Sequence, residues 1–113
     1  MDSMTEKIGD EAEALRRGTP TGAVLVVEVS QTTLRFDRAT KAEIYAASGI
    51  EDYWIVNLAE RQLEVRRRPM PEPASRTGFR YMDVQLLTPD QSVAALAKPQ
   101  AGIPVVSLLP PIV

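Results

Sequence analysis

The sequence predicts a mixed α/β (α+β) domain, and three stretches carry that expectation. Val24 to Ser30, VLVVEVS, is apolar at both parities, as a strand covered on both faces must be. Asp37 to Ser48 has helical spacing and stops at Gly49. Asp52 to Arg68 holds two strand-like segments around a short polar turn. A chain of 113 residues has room for one such domain. We place it at 23–113, behind an N-terminal helical arm at 1–22.

Composition narrows the chemistry. The chain has no cysteine and no histidine, which excludes disulfides, thiolate and imidazole metal sites and histidine-based triads. A metal ion would have to take oxygen ligands, which points to magnesium, manganese or calcium. A net charge of -2 does not advertise nucleic-acid binding, although a local basic face can coexist with an acidic remainder. No apolar run approaches the roughly 20 residues that span a bilayer. The acidic start MDSMTEKIGDEAE lacks the pattern of a signal peptide, so a cytoplasmic location without membrane attachment is expected.

In the arm, Ser3-Met4-Thr5-Glu6 fits a capping box, and Met4, Ile8, Ala12 and Leu15 recur at helical spacing. Gly18 and Pro20 end it. Gly9 weakens the helix, and a partly ordered arm with Asp10, Glu11 and Glu13 on a solvated face is an equal alternative.

Alternation puts Val24, Val26, Glu28 and Ser30 on one face of the following strand, which reads as a central one. Glu28 then points into an apolar layer. An ionised carboxylate is costly there unless it is paired, binds metal or reaches water past the strand end. After the polar connection Gln31 to Phe36, a helix is predicted from Asp37 to Ser48. A period of about 3.6 residues places Asp37, Lys41, Ile44, Tyr45 and Ser48 on one side. Lys41 thus falls inside the packing stripe, and its spacing from Asp37 also suits a simple i, i+4 salt bridge. Ala39, Ala42, Ala46 and Ala47 offer small surfaces to a sheet.

DYWIVN, residues 52–57, and QLEVRRR, residues 62–68, form a predicted hairpin with Leu63 and Val65 inward and Glu64 and Arg66 outward. Trp54 belongs to the core more readily than to a base-stacking platform. Arg66, Arg67 and Arg68 suit phosphates weakly and a solvated strand edge better. A proline-rich loop, PMPEPASRT, separates this pair from a further strand at Phe79 to Leu87. The prolines of the tail permit a short strand or one helical turn.

Five pieces, VVEVS, DRATK, the YAASGI helix end, YWIVN and RQLEV, resemble in order and spacing the Uma-type family of putative restriction endonucleases. The resemblance extends from Val24 to the C-terminus. It implies a restriction-endonuclease-like mixed sheet with one or two flanking helices, an incomplete version of the fold. It also implies a metal-dependent endonuclease that hydrolyses the phosphodiesters of DNA. Glu28 matches the family's strand carboxylate, a ligand of Mg or Mn. Lys41 matches the lysine that orients water or stabilises charge on the phosphate, and Asp37 matches an acid in a supporting role.

The chain departs from that pattern in one respect. Family members carry a Pro-Asp opening an earlier strand, and its acid is the second metal ligand. No Pro-Asp precedes Val24 here. The expected activity is therefore that of an incomplete or degenerate site. The alternative is a non-catalytic remnant acting as a binding or dimerisation module, with a homodimer covering an exposed sheet edge. The hydrolytic reading requires Glu28 and Lys41 to face the same side of the sheet.

Overall fold

The computed structural model describes residues 25–32 and 34–111. The arm expected at 1–22, with Asp10, Glu11 and Glu13, lies outside the described residues, as does Val24.

Four strands form one mixed sheet in the order β1-β2-β3-β4. β1 (Val26–Ser30) runs parallel to β2 (Asp52–Asn57). β2, β3 (Gln62–Pro71) and β4 (Phe79–Leu87) form an antiparallel meander, as alternation and turn chemistry predict. The register sets Val26 opposite Tyr53, Glu28 opposite Ile55 and Ser30 opposite Asn57. Side chains alternate, so these six residues share one face.

Among the described residues β1 is an outer strand, and β2, buried at all six positions, is interior. β1 is apolar at both parities because layers cover both of its faces. On one face lie Val26, Tyr53 and Ile55 with the helical residues Ala42, Tyr45 and Ala46. On the other, Trp54, Val56, Leu63 and Val65 pack against Val93, Val105 and Leu109 of the C-terminal segment. That segment contains the two-residue pair β5 (Ser92–Val93) and β6 (Ile103–Pro104), then a 3₁₀ turn at Val105–Leu108.

The parallel β1–β2 pair requires a crossover, which the helix supplies. It starts earlier than Asp37, with α1 (Leu34–Phe36), widens into a π turn at Asp37–Lys41, and closes as α2 (Ala42–Ala47). The Ala42 amide donates to the Asp37 carbonyl, an i→i−5 bond that accommodates one extra residue in the turn. The phase of the buried stripe moves accordingly. Asp37, Lys41, Ala42, Tyr45 and Ala46 are buried, whereas Ile44 is half-buried.

The helix ends as a Schellman motif, with Gly49 N–H bonded to Ala46 O and Ile50 N–H to Tyr45 O. Gly49 has φ +79, the left-handed conformation that the motif demands and that glycine adopts without strain. Ile50 and Tyr45 are both in the core cluster on that side.

Asp52, fully buried, ties β2 to its neighbours. Its carboxylate accepts from the Trp54 indole at 2.7 Å, from Arg67 Nε at 2.8 Å and from the Leu96 amide at 2.9 Å. Trp54 is accordingly a core residue. Truncating Asp52 leaves the Arg67 charge, the indole and an amide unpaired at once. The variant Asp52→Ala is expected to lose about 3 kcal/mol of stability, measured by urea unfolding followed by far-UV circular dichroism. Asp52→Asn, which keeps an acceptor oxygen, should lose less.

Candidate active site

Glu28 stands mid-strand on β1 and points to the helix-covered face, where it is fully buried. The π turn carries Asp37 and Lys41 to the same place. The Lys41 ammonium is hydrogen-bonded to Glu28 Oε1, and its nitrogen lies 3.4 Å from Asp37 Oδ1. From β2, the Tyr53 hydroxyl donates to Glu28 Oε2 at 3.2 Å. The Tyr45 ring packs edge-on against Tyr53, with centroids 4.9 Å apart, and steadies that donor. Strand, crossover helix and second strand of the parallel pair thus converge on one cluster. Glu28 and Lys41 face the same side of the sheet.

Two carboxylates share one ammonium here, in a site almost closed to water: Glu28 and Asp37 are 0% exposed and Lys41 is 7% exposed. Burial pushes the Glu28 carboxyl up to about 7. The Lys41 hydrogen bond opposes that rise, and the neighbouring Asp37 carboxylate adds to it. The Tyr53 hydroxyl is pushed far up, first by burial and then by the Glu28 and Asp37 charges, so it stays a neutral donor.

The other buried acids differ in their balance. Glu64, predicted to face outward, is fully buried, because the helix covers that face of the sheet as well. It accepts from Arg38 Nε at 2.8 Å and from Arg66 at 3.1 Å, two guanidiniums to one carboxylate. Asp52 has Arg67 to itself. Glu28 and Asp37 instead meet at the single ammonium of Lys41.

The three arginines tested as a phosphate patch are not brought together. Alternation sends Arg66 to Glu64 and Arg67 across the sheet to Asp52. Arg68, at φ +63, is exposed, with its guanidinium 3.7 Å from Asp83. Sequence reasoning missed Tyr53, whose place in the cluster follows from its sharing a face with Glu28 across the β1–β2 register. The Pro89-Asp90 dipeptide lies after β4 in an exposed turn, where the Thr88 hydroxyl holds the Asp90 carboxyl below its ordinary value. The strand that follows places Val93 on the opposite face of the sheet from Glu28.

A metal's fit to this cluster rests on its donor set. Glu28 and Asp37 offer hard carboxylate oxygens, the donor type that suits a hard cation. Among the described residues no group of three or more acids is placed to hold a metal ion. The protein's share would be two carboxylates, with water and substrate oxygens completing an octahedron, which is magnesium's usual habit. The donors fit on those terms.

A mixed sheet with a helical crossover and an acid–lysine cluster beside its parallel strands is consistent with the restriction-endonuclease-like class of nucleases. The model of the Uma2 family, described as "Putative restriction endonuclease", matches residues 5–97, and the chain belongs to that family. The match starts earlier than the resemblance read from Val24 onward and stops short of the C-terminal tail. No curated protein matches the chain. No helix among the described residues is long and apolar enough to cross a membrane.

The raised Glu28 value has a consequence for stability. The unfolded carboxyl titrates near 4.5 and the folded one near 7, so the native state binds the extra proton between those values. Stability should therefore fall as pH rises from about 4.5 to 7 and level off above, by at most about 3 kcal/mol. Urea unfolding across that range checks the slope, and Glu28→Gln should flatten it.

Proposed function

We propose that the protein is a metal-dependent endonuclease that hydrolyses the phosphodiester bonds of DNA, with a minimal protein ligand set. The observation that carries this reading is the convergence of Glu28, Asp37 and Lys41 at one buried point on the parallel strand pair. Glu28 and Asp37 would hold Mg or Mn. When bound, the ion supplies a Lewis acid and lowers the pKa of a coordinated water. Lys41 would supply positive charge to the phosphate oxygen on which charge builds during attack. Tyr53 fixes the Glu28 carboxylate through its hydrogen bond and, being neutral, adds no repulsion. Lys41 is paired with Glu28 in the described structure, which holds its ammonium beside the acid that would bind the ion.

Supercoiled plasmid nicked in millimolar Mg or Mn is the direct test. Glu28→Gln and Lys41→Ala should each lower the rate by about 100-fold or more, with circular dichroism showing an intact fold. Absence of nicking by the wild-type protein in both metals would end the catalytic reading.

A second reading is favoured by β4. This nine-residue outer strand presents Met82, Val84 and Leu86 at 44%, 47% and 56% exposure. An antiparallel pairing of β4 with its counterpart in a second copy, centred on Val84, would set Met82 opposite Leu86 and Val84 opposite itself. That register is apolar throughout on this side and leaves Asp83 opposite Gln85 instead of another acid. In this reading the sheet is a dimerisation module, with or without catalysis. Sedimentation equilibrium should give a dimer for the wild type and a monomer for Val84→Lys. A wild-type monomer at tens of micromolar would exclude it.

A further inference from the structure

On the outer side of the helix, away from Glu28, lies a cavity of about 490 Å³ lined by Thr32, Arg35, Phe36, Ala39, Thr40 and Arg76. Its size falls in the range of small-molecule sites, roughly 300–1,000 Å³. The Phe36 ring is 50% exposed, an unusual state for a large aromatic beside a packed helix. Its floor is apolar, from Phe36 and Ala39. Its rim carries two guanidiniums, two hydroxyls and no carboxylate, in a chain whose net charge is -2. The loop between β3 and β4 delivers Arg76 across sequence. Thr77 Oγ1 donates to Glu43 O at 2.8 Å, the Arg76 amide donates to Glu43 Oε1 at 3.3 Å, and the Arg76 guanidinium donates to Thr40 Oγ1 at 3.2 Å. Arg76 is therefore held over the cavity by its loop anchors. Arg35 makes no ion pair among the described residues.

The cavity adjoins the cluster already described. The Lys41 ammonium sits 5.4 Å from the Phe36 ring centroid, so one aromatic side chain separates the two. An apolar, aromatic floor between cations is the chemistry of a nucleotide: the base stacks on the ring and phosphates take the guanidiniums.

We infer that this cavity is a subsite for an unpaired nucleotide of the nucleic-acid strand, with the base on Phe36 and flanking phosphates on Arg35 and Arg76. The inference rests on the nuclease reading for its substrate and names where that substrate is gripped. It makes single-stranded or locally unpaired nucleic acid the preferred ligand, because a base inside a duplex cannot lie on Phe36.

The test reads binding without cleavage. Fluorescein-labelled oligothymidylate of about 12 nucleotides is titrated with the full chain in EDTA at low salt, and anisotropy is followed. Phe36→Ala should weaken binding about 10-fold and Phe36→Trp should retain it. Arg35→Ala and Arg76→Ala should each weaken binding and reduce the slope of log affinity against log salt by about 0.7. Arg35→Ala leaves the 72–78 loop anchors untouched, so it reports on charge alone. Thymidine monophosphate should displace the oligonucleotide at lower concentration than inorganic phosphate. The titration is run in EDTA and reads binding alone, which separates this result from the plasmid assay. No binding by the wild type, unchanged binding by Phe36→Ala, or equal affinity for the same sequence in a duplex would overturn the inference, whether or not plasmid is nicked.

Discussion

The placement of Glu28 in the layer beneath the helix governs the arrangement around it. A carboxylate removed from water costs several kcal/mol unless a partner of good geometry compensates it. The partners come from three elements: Lys41 and Asp37 from the π turn and the Tyr53 hydroxyl from β2. Each contact requires a particular register. A one-residue slip of β1 against β2 would turn Glu28 to the opposite face, into the cluster of Trp54, Val56 and Leu63 and away from Lys41. The helix is similarly constrained, since a regular α-helical turn in place of the π turn would rotate Asp37 and Lys41 relative to Tyr45 and Ala46. The ion pair is thus weak evidence for stability as such and strong evidence for specification of a single packing.

The three buried acid clusters divide into scaffold and site by the number of charges that meet. Asp52 is satisfied by a guanidinium, an indole and a backbone amide, and it joins β2, β3 and the C-terminal segment. Glu64 joins β3 to the helix through Arg38 and to its own strand through Arg66. Both have cations to spare or to match, and guanidinium is the group suited to that work because its fork fits carboxylate oxygens. The Glu28 cluster uses a compact ammonium instead, with two acids around it. An ammonium forms no fixed fork and exchanges partners readily, so a charge-deficient lysine cluster can reorganise where an arginine clamp resists. Burial alone does not mark the site, as Glu64 and Asp52 are equally inaccessible.

Much of this was legible in the sequence because it follows from short-range rules. The period of two in VVEVS set Glu28 beside Val26, and the period of about 3.6 brought Lys41 into the packing stripe. Gly49 marked the helix end by a conformation that other residues adopt with strain. What could not be read was non-local. The outward assignment of Glu64 failed because alternation tells which residues share a face, not whether a helix covers it. The π turn has no periodicity signature over five residues, and the earlier helix start at Leu34 depends on it. Arg66 and Arg67 are taken up by the buried acids Glu64 and Asp52, whereas Arg68 lies exposed beside Asp83.

The widened turn also sets the proposed catalytic cluster and the proposed nucleotide subsite on two sides of one segment. Asp37 and Lys41 point inward from it, whereas Phe36, Ala39 and Thr40 line the cavity outside. The residues alternate between the two functions within a single helical segment, so each can be rigid only if the segment is. That rigidity is supplied from both sides. The sheet holds the inner residues through Glu28 and Tyr53, and the loop between β3 and β4 holds the outer ones through Thr77 on the Glu43 carbonyl. A ligand that pressed on Phe36 would act on Lys41 through the ring it already touches, a distance of one side chain.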